Sequence, residues 1–210
     1  QLVQTERMAI TPKELRDHHI GSVLSGGGSV PGSTRLQDWI DMNDAYWEAS
    51  TQNENGSLPI PLLYGVDAIH GHNNVQGATI FPHNIGLGAM RDPELIQRIA
   101  NVTAKEILAS GVEWTFAPTL AVARDIRWGR TYESYSQDTN LVASYAAPFV
   151  KGLQGDLEDD SVIACVKHWV GDGGTTYGMD QGETSLSEDE LRSVHMAPYL
   201  PALEAGTLTL

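Results

Sequence analysis

The sequence predicts an α/β fold built on a parallel sheet, and three observations support this prediction. Short apolar runs alternate with longer segments of helical periodicity, roughly four and a half times along the 210 residues. Glycine, proline and capping residues separate the segments. The polar residues that could do chemistry come directly after the apolar runs. Such alternation is typical of βαβ units, in which helices cover a parallel sheet.

Capping residues and a glycine-rich segment mark the first elements. Thr11, Pro12 and Glu14 form a capping box with proline at the first helical position, which predicts a short helix. A first strand is predicted over 22–24, and the glycine-rich segment 25–29 follows it. No Gly-Lys-Ser/Thr pattern comes next, so we interpret this segment as a flexible turn rather than a phosphate-binding loop.

The remaining elements rest on the same signals, namely apolar runs for strands and helical spacing of apolar residues for helices. Asp92 and Ser187 are predicted N-caps of two of these helices. Further strands are predicted over 62–64, 114–117, 161–166 and 207–210, and a turn and a loop over 53–57 and 78–84. Helices are predicted over 36–50, 92–110, 138–154 and 187–205, the last of them interrupted by Pro198 and Pro201.

The order of these elements favours a partial (β/α)8 barrel of the TIM type, containing about its first five strands. An eight-stranded barrel needs about 250 residues, so this chain would form a little over half of one. A doubly wound sheet is the alternative, but it usually carries a glycine-rich phosphate turn after its first strand. That signal is weak here, and the barrel is therefore preferred.

Composition and charge exclude several classes of partner. The net charge of −14 argues against nucleic acid and against an anionic membrane surface, because both attract clustered Lys and Arg. It suits a neutral substrate. The sequence contains no run of 18 apolar residues, so no membrane span is predicted. The single cysteine, Cys165, lies in an apolar run and is predicted to be a small core residue rather than a nucleophile.

Polar side chains follow three of the predicted strands, where a barrel would bring them to one face. Carboxylates accept several hydrogen bonds, and Arg and Lys donate several, so such a group suits the adjacent hydroxyls of a sugar. The three clusters are Asp67 with His70 and His72, Arg130 with Glu133, and Lys167 with His168.

Simpler interpretations remain open for some of these residues. Asp67 could cap a neighbouring turn. Arg124 and Arg127 could pair with Asp125 and Glu133 to hold their loop, which we prefer for Arg124.

Three further residues beside these clusters are also expected to be structural. Large aromatic side chains are mostly core, so Trp128 and Trp169 are predicted to be buried rather than to stack on a sugar. Asp172, in a Gly-Asp-Gly-Gly segment, is interpreted as a turn former.

The pair His70 and His72 also raises the possibility of a metal hydrolase. On a strand, residues i and i+2 point the same way, which is one way to begin a metal site. Such a site needs further histidines at later strand ends and an Asp near the end, and His18, His19, His83 and His195 do not fall at strand ends. No metal site and no cofactor are therefore predicted.

Four segments together resemble the N-terminal barrel of glycoside hydrolase family 3, the β-glucosidase and exo-β-glucanase family. They occur in the family's order and cover nearly the whole chain. The likeness is closest to the branch of exo-acting β-1,3/1,4-glucan glucohydrolases and bacterial β-glucosidases. The segments are GVDAIHGHNN at 65–74, ATIFPHN at 78–84, RDIRWGRTYES at 124–134 and KHWVGDGG at 167–174.

The resemblance implies roles for four residues. Asp67, Arg130, Lys167 and His168 match positions that hold the non-reducing-end glucose in the −1 subsite. Family members are retaining enzymes, with an Asp nucleophile in a Ser-Asp-Trp-like motif and a Glu acid/base on a following α/β domain. Neither motif is present, so both catalytic groups are expected beyond Leu210. Residues 1–210 would then be the N-terminal part of the barrel, inactive alone and dependent on the missing C-terminal part.

Two alternative functions remain open for a chain with this resemblance. The β-N-acetylglucosaminidase branch carries Lys-His-Phe-Pro-Gly-His-Gly and a later Asp-Ser-His, and this chain lacks both. A non-catalytic sugar-binding relative would keep the binding residues without the nucleophile. The expected partner is a β-glucoside or β-glucan oligosaccharide. No signal peptide is visible, yet both ends look cut, and the family's habit implies a periplasmic or secreted location.

Overall fold

The computed structural model describes residues 3–52, 58–158 and 160–210, and the predicted turn at 53–57 lies outside them. One parallel sheet holds five short strands whose order in space follows their order in sequence. A doubly wound sheet reverses its strand order at a switch point, whereas consecutive barrel strands do not. The α/β prediction with a partial barrel is therefore confirmed. The strands are β1 (Gln4–Glu6), β2 (Ser22–Ser25), β3 (Leu63–Val66), β4 (Trp114–Thr115) and β5 (Ile163–Ala164).

The strands differ from the predicted set at both ends of the chain. β1 pairs with β2 and precedes the predicted first strand. It was missed because its side chains are polar and at least partly exposed, so no apolar run marks it. The predicted fifth strand over 207–210 forms instead an isolated bridge between Cys165 and Thr209. β4 and β5 are also shorter than predicted.

The helices begin where the capping residues predict. The Thr11 hydroxyl and the Glu14 carboxylate form both halves of the capping box at the start of α1. Asp92 accepts a hydrogen bond of 2.9 Å from the backbone N–H of Leu95. The helices are α1 (Pro12–His18), α2 (Leu36–Thr51), α3 (Asn84–Met90), α4 (Pro93–Leu108), α5 (Thr139–Gln154), α6 (Glu188–Glu190), a π-helical turn (Leu191–Met196) and α7 (Tyr199–Glu204).

Two helical segments compare differently with the prediction. α3 was not predicted, because Gly86 and Gly88 weaken its helical signal. The helix over 187–205 is interrupted at Pro198, as predicted, whereas Pro201, which was also expected to interrupt it, lies inside α7. Over the described residues, no helix has the combination of length and apolar character that crossing a membrane requires.

The core lies between the sheet and its helices. Val23 and Val66 of the strands are fully buried, as are Trp39 and Ile107 of the helices. Cys165 is a buried free thiol, as predicted, and burial raises its pKa. A buried thiol of raised pKa is a poor nucleophile.

α4 and α5 approach closely through Gly152, and this contact predicts a stability effect. A Cβ atom at position 152 would lie 2.4 Å from the carbonyl oxygen of Gln97 and 2.6 Å from the Ala100 Cβ. Gly152→Ala should therefore separate the helices and lower the free energy of unfolding by about 1–3 kcal/mol. Urea denaturation measures this. Gly32→Ala is the matched control, because no atom lies within 4 Å of a Cβ built there. Equal stability of the two variants would contradict the close contact.

Candidate functional site

The site begins with an ion pair between the ends of two strands. Asp67 directly follows β3, and Lys167 lies three residues after β5. The Lys167 Nζ donates to Asp67 Oδ1 at 2.7 Å, and the two side chains are 11% and 22% exposed. The backbone N–H of Gly27 donates to Asp67 Oδ2 at 3.0 Å. The glycine-rich turn after β2 thus folds over the carboxylate, a contact that the sequence did not indicate.

Arg130 is held in place by a carboxylate and an imidazole. Its Nε and Nη2 donate to the two carboxylate oxygens of Glu133, each at 2.8 Å. Its Nη2 also lies 3.1 Å from His168 Nε2. Glu133 is 5% exposed and sits in a short 3₁₀ turn, three residues after the arginine. The hydrogen bonds to Glu133 raise the pKa of Arg130, so the guanidinium is always charged.

His168 links this arginine to a further carboxylate. Its Nδ1 lies 2.8 Å from Asp172 Oδ2, and the backbone N–H of Gly173 donates to Asp172 Oδ1 at 3.1 Å. Asp172 is therefore more than the turn former that its sequence neighbours suggest. The structure thus brings the four predicted residues into two groups, one formed by Asp67 with Lys167 and the other by Arg130 with His168.

The hydrogen bonds leave a defined set of donors and acceptors for a ligand. Arginine has five N–H groups, and those on Nε and Nη2 of Arg130 are engaged. Among the residues that the structure describes, no partner engages the two N–H groups on its Nη1. Lys167 uses one of its three donors on Asp67, whose carboxylate can accept further hydrogen bonds. The site can therefore both donate to and accept from a neutral polar ligand.

A cleft of about 310 Å³ opens beside Asp67 and Glu133. Imidazole and phenol rings line one part of it: the ring centroids of His70 and His83 are 4.3 Å apart, and those of His83 and Tyr132 are 4.9 Å apart. His83 and Tyr132 were not predicted as site residues. Both lie within segments that resemble the family, and that position is the signal that could have found them.

A second cleft, of about 370 Å³, lies between α3 and the loop that precedes α5. Its lining includes none of the four predicted residues, whereas Asp67 lines the cleft at the strand ends. We therefore place the candidate site at the strand ends.

His70 and His72 do not face the same way, so the geometry behind the metal alternative is wrong. β3 ends at Val66, and the backbone turns at Gly71, where φ is +95°. The His70 Nδ1 bonds to the carbonyl oxygen of Phe81 at 2.9 Å. His72 is fully buried, and its Nε2 lies 2.9 Å from Ser110 Oγ. In the part of the chain that the structure describes, no three His, Cys, Asp or Glu side chains group as metal ligands.

The burial of His72 predicts a pH dependence of stability. Desolvation lowers its pKa from 6.5 to about 4. Between about pH 4 and about pH 6.5 the unfolded chain therefore binds more protons than the folded chain. The free energy of unfolding should fall as the pH drops through this range. At 1.36 kcal/mol per pKa unit, the full effect is about 3 kcal/mol.

Urea unfolding at a series of pH values measures this effect. His72→Gln should flatten the pH dependence, and the exposed His18→Gln should leave it unchanged. An unaltered slope in His72→Gln would contradict the assignment.

The loop before α5 contains structural contacts that agree only in part with prediction. Arg127 pairs with Asp125 as expected, with Nη2 and Oδ2 2.5 Å apart. This pairing lowers the pKa of the Asp125 carboxyl to about 2. For Arg124 the expected ion pair is wrong: its Nη1 donates to the carbonyl oxygen of Gln137 at 3.1 Å. Glu133 is instead the partner of Arg130.

The two tryptophans near the site differ in exposure. Trp128 is buried as predicted, and its Nε1 donates to Asp180 Oδ1 at 3.0 Å. Trp169 is 53% exposed, so the prediction of a core position is wrong. It packs edge-on against Tyr199, with ring centroids 5.1 Å apart.

Comparison with known proteins gives consistent matches. The family model described as "Glycosyl hydrolase family 3 N terminal domain" matches residues 1–210. The exo-1,3/1,4-β-glucanase from a Pseudoalteromonas species superposes with a TM-score of 0.94 at 47% identity, over 99% of this chain and 27% of that one.

Two further relatives support the match. A mutant β-glucosidase from Listeria innocua in complex with laminaribiose superposes with a TM-score of 0.78 at 30% identity, over 98% of this chain and 29% of that one. The periplasmic β-glucosidase of Salmonella typhimurium is 31% identical over 182 residues, which are 86% of this chain and 22% of that protein. The chain spans about a quarter of the length of the curated relatives that it matches.

Proposed function

This chain belongs to glycosyl hydrolase family 3, and we propose that it supplies the glucose-binding half of a β-glucosidase active site. The whole protein would hydrolyse terminal non-reducing β-D-glucosyl residues of β-glucosides and β-glucans. Residues 1–210 would form the first part of its barrel. The rest of the barrel and a following α/β domain would come from the remainder of the protein.

The observation that carries this proposal is the set of free donors and acceptors around Asp67. A sugar hydroxyl can donate to the Asp67 carboxylate while accepting from Lys167 Nζ, which lies 2.7 Å from that carboxylate, and another hydroxyl of the ring can accept from Arg130 Nη1. Hydrogen bonds to charged groups are roughly twice as strong as neutral ones. Neighbouring hydroxyls on one pyranose ring present this alternation of donor and acceptor. Asp67, Arg130 and Lys167 are thus proposed to hold glucose in the −1 subsite directly, and His168 is proposed to hold it through its contact with Arg130.

The acids of this site serve binding rather than bond cleavage. Both oxygens of the buried Glu133 accept from Arg130, and both oxygens of Asp67 already accept hydrogen bonds. A retaining enzyme needs two carboxyl groups about 5–5.5 Å apart, one as nucleophile and one as acid/base. We assign those roles to an Asp and a Glu that follow Leu210. This chain would then fix the ring so that its anomeric carbon meets them, which lowers the entropic part of the barrier.

The partners and location follow from the same relatives. Laminaribiose in the Listeria complex and the glucanase name of the Pseudoalteromonas protein point to a β-glucan oligosaccharide as substrate. The Salmonella relative is periplasmic by name, and we propose a periplasmic or secreted location here as well. No metal and no cofactor take part in the proposed chemistry.

Hydrolysis assays on the full-length protein test this function. We expect turnover of an aryl β-glucoside, laminaribiose or cellobiose, with β-glucose as the first product in a proton NMR time course. The 210-residue chain alone should give no turnover. Binding without hydrolysis would identify a non-catalytic sugar-binding relative, and activity confined to β-N-acetylglucosaminides would identify the other branch of the family. Either result would overturn the proposal.

A further inference from the structure

We propose that Asp172 is a positioning residue, which fixes the tautomer of His168 so that this ring can hold Arg130. The inference rests on the proposed function, because Arg130 is one of the proposed sugar-binding groups. Asp172 itself touches His168 and the backbone of Gly173, and its action on Arg130 is indirect.

The donor and acceptor roles follow from the chemistry of the two side chains. A guanidinium only donates hydrogen bonds, so the contact of 3.1 Å requires His168 Nε2 to be an acceptor without a proton. In a neutral imidazole the proton then lies on Nδ1. That N–H points to Asp172 Oδ2 at 2.8 Å, and a carboxylate there favours this tautomer over the other.

Close backbone packing holds the Asp172 carboxylate in place. Asp172–Gly174 form a short 3₁₀ turn, and the Gly173 N–H binds the second carboxylate oxygen. A Cβ atom on Gly173 would lie 2.3 Å from the carbonyl oxygen of Val122, and one on Gly174 would lie 2.5 Å from the buried His195 Nε2. The two glycines therefore let the turn sit tightly against its neighbours, with Asp172 directed at His168.

The tautomer of His168 affects sugar binding because it determines how the Arg130 guanidinium is oriented. With His168 as acceptor, three N–H groups of Arg130 are engaged and Nη1 is left for the ligand. Without Asp172, His168 can carry its proton on Nε2. Two N–H groups would then face each other, and the guanidinium would lose one of its three fixed contacts. Asp172 thus acts on affinity through the arginine.

The test combines a structural readout with kinetics on the full-length protein. Neutron diffraction from crystals of the unmodified protein should show deuterium on His168 Nδ1 and none on Nε2. Deuterium on Nε2 would overturn the proposal whatever the activity. This readout stays decisive if no glucoside is hydrolysed, in which case the proposed function fails separately.

Three variants extend the test to sugar binding. Asp172→Ala should raise KM for an aryl β-glucoside by about tenfold or more, with a smaller change in kcat, since a hydrogen bond to a charged group is lost. Asp172→Asn keeps one acceptor oxygen for His168 Nδ1 but turns an amide N–H towards that of Gly173, so its KM should lie between those of Asp172→Ala and the unmodified protein. Asp180→Ala is the matched control, because this carboxylate of the same loop binds Trp128 and not His168. Its KM should stay within about twofold of the unmodified value.

The kinetic pattern separates positioning from general damage. Equal KM changes in Asp172→Ala and Asp180→Ala would show a general effect of charge or loop packing and would contradict the proposal. Unchanged KM in Asp172→Ala would contradict it as well. If Asp172→Ala does not fold, Asp172→Asn and the neutron structure still decide the question.

Discussion

Asp67→Ala is expected to lower kcat/KM for an aryl β-glucoside by about a hundredfold to a thousandfold in the full-length protein. The substitution removes the acceptors that face the cleft and leaves Lys167, which is 11% exposed, without its partner. Two hydrogen bonds from sugar hydroxyls to the charged Asp67 carboxylate would be lost, at about 1.5–3 kcal/mol each, or about 3–6 kcal/mol in all. Each tenfold change in rate corresponds to about 1.36 kcal/mol, so a hundredfold to thousandfold loss of kcat/KM corresponds to about 3–4 kcal/mol.

Asp125→Ala is the matched control for this experiment. Asp125 is also paired with a cation, but its partner Arg127 is 63% exposed. Exposed ion pairs contribute little, so the control should stay within about threefold of the unmodified enzyme. If Asp67→Ala behaved like this control, Asp67 would not hold the substrate.

Arg130→Lys is the second substitution with a large expected effect. Lysine keeps the charge but is a point donor, so it cannot bind both oxygens of Glu133, reach His168 and still present two N–H groups to the ligand. The buried Glu133 would also lose part of its pairing. We expect kcat/KM to fall by about a hundredfold, largely through a higher KM.

Arg127→Lys tests whether this effect is specific to the site. Arg127 belongs to the same loop and has its own bidentate acid, Asp125, but it lies on the surface. Its substitution should change kcat/KM by no more than about twofold. Similar losses in the two variants would mean that the loop as a whole, rather than the Arg130 guanidinium, determines activity.

Local signals allowed the sequence to predict most of the fold. The caps at Thr11 and Asp92 depend on residues only three positions apart, and both are present. β1 could not be predicted, because its place at the edge of the sheet needs no apolar side chains. α3 could not be predicted, because Gly88 is required by a close approach to Tyr135, far along the chain.

The sequence likewise predicted only part of the candidate site. Asp67 and Lys167 are 100 residues apart, yet topology alone predicts their proximity, because each follows a strand of one parallel sheet. The contacts of Gly27 with Asp67 and of Asp172 with His168 were not predicted. Both depend on how irregular loops fold over the strand ends, and no periodicity or spacing in the sequence encodes that geometry.

The most direct test of the account is a crystal structure of the full-length protein with glucose or laminaribiose bound. We predict one pyranose ring whose hydroxyls lie about 2.7–3.2 Å from the Asp67 carboxylate, Lys167 Nζ and Arg130 Nη1. A sugar bound elsewhere, with these three groups in contact with water alone, would contradict the account.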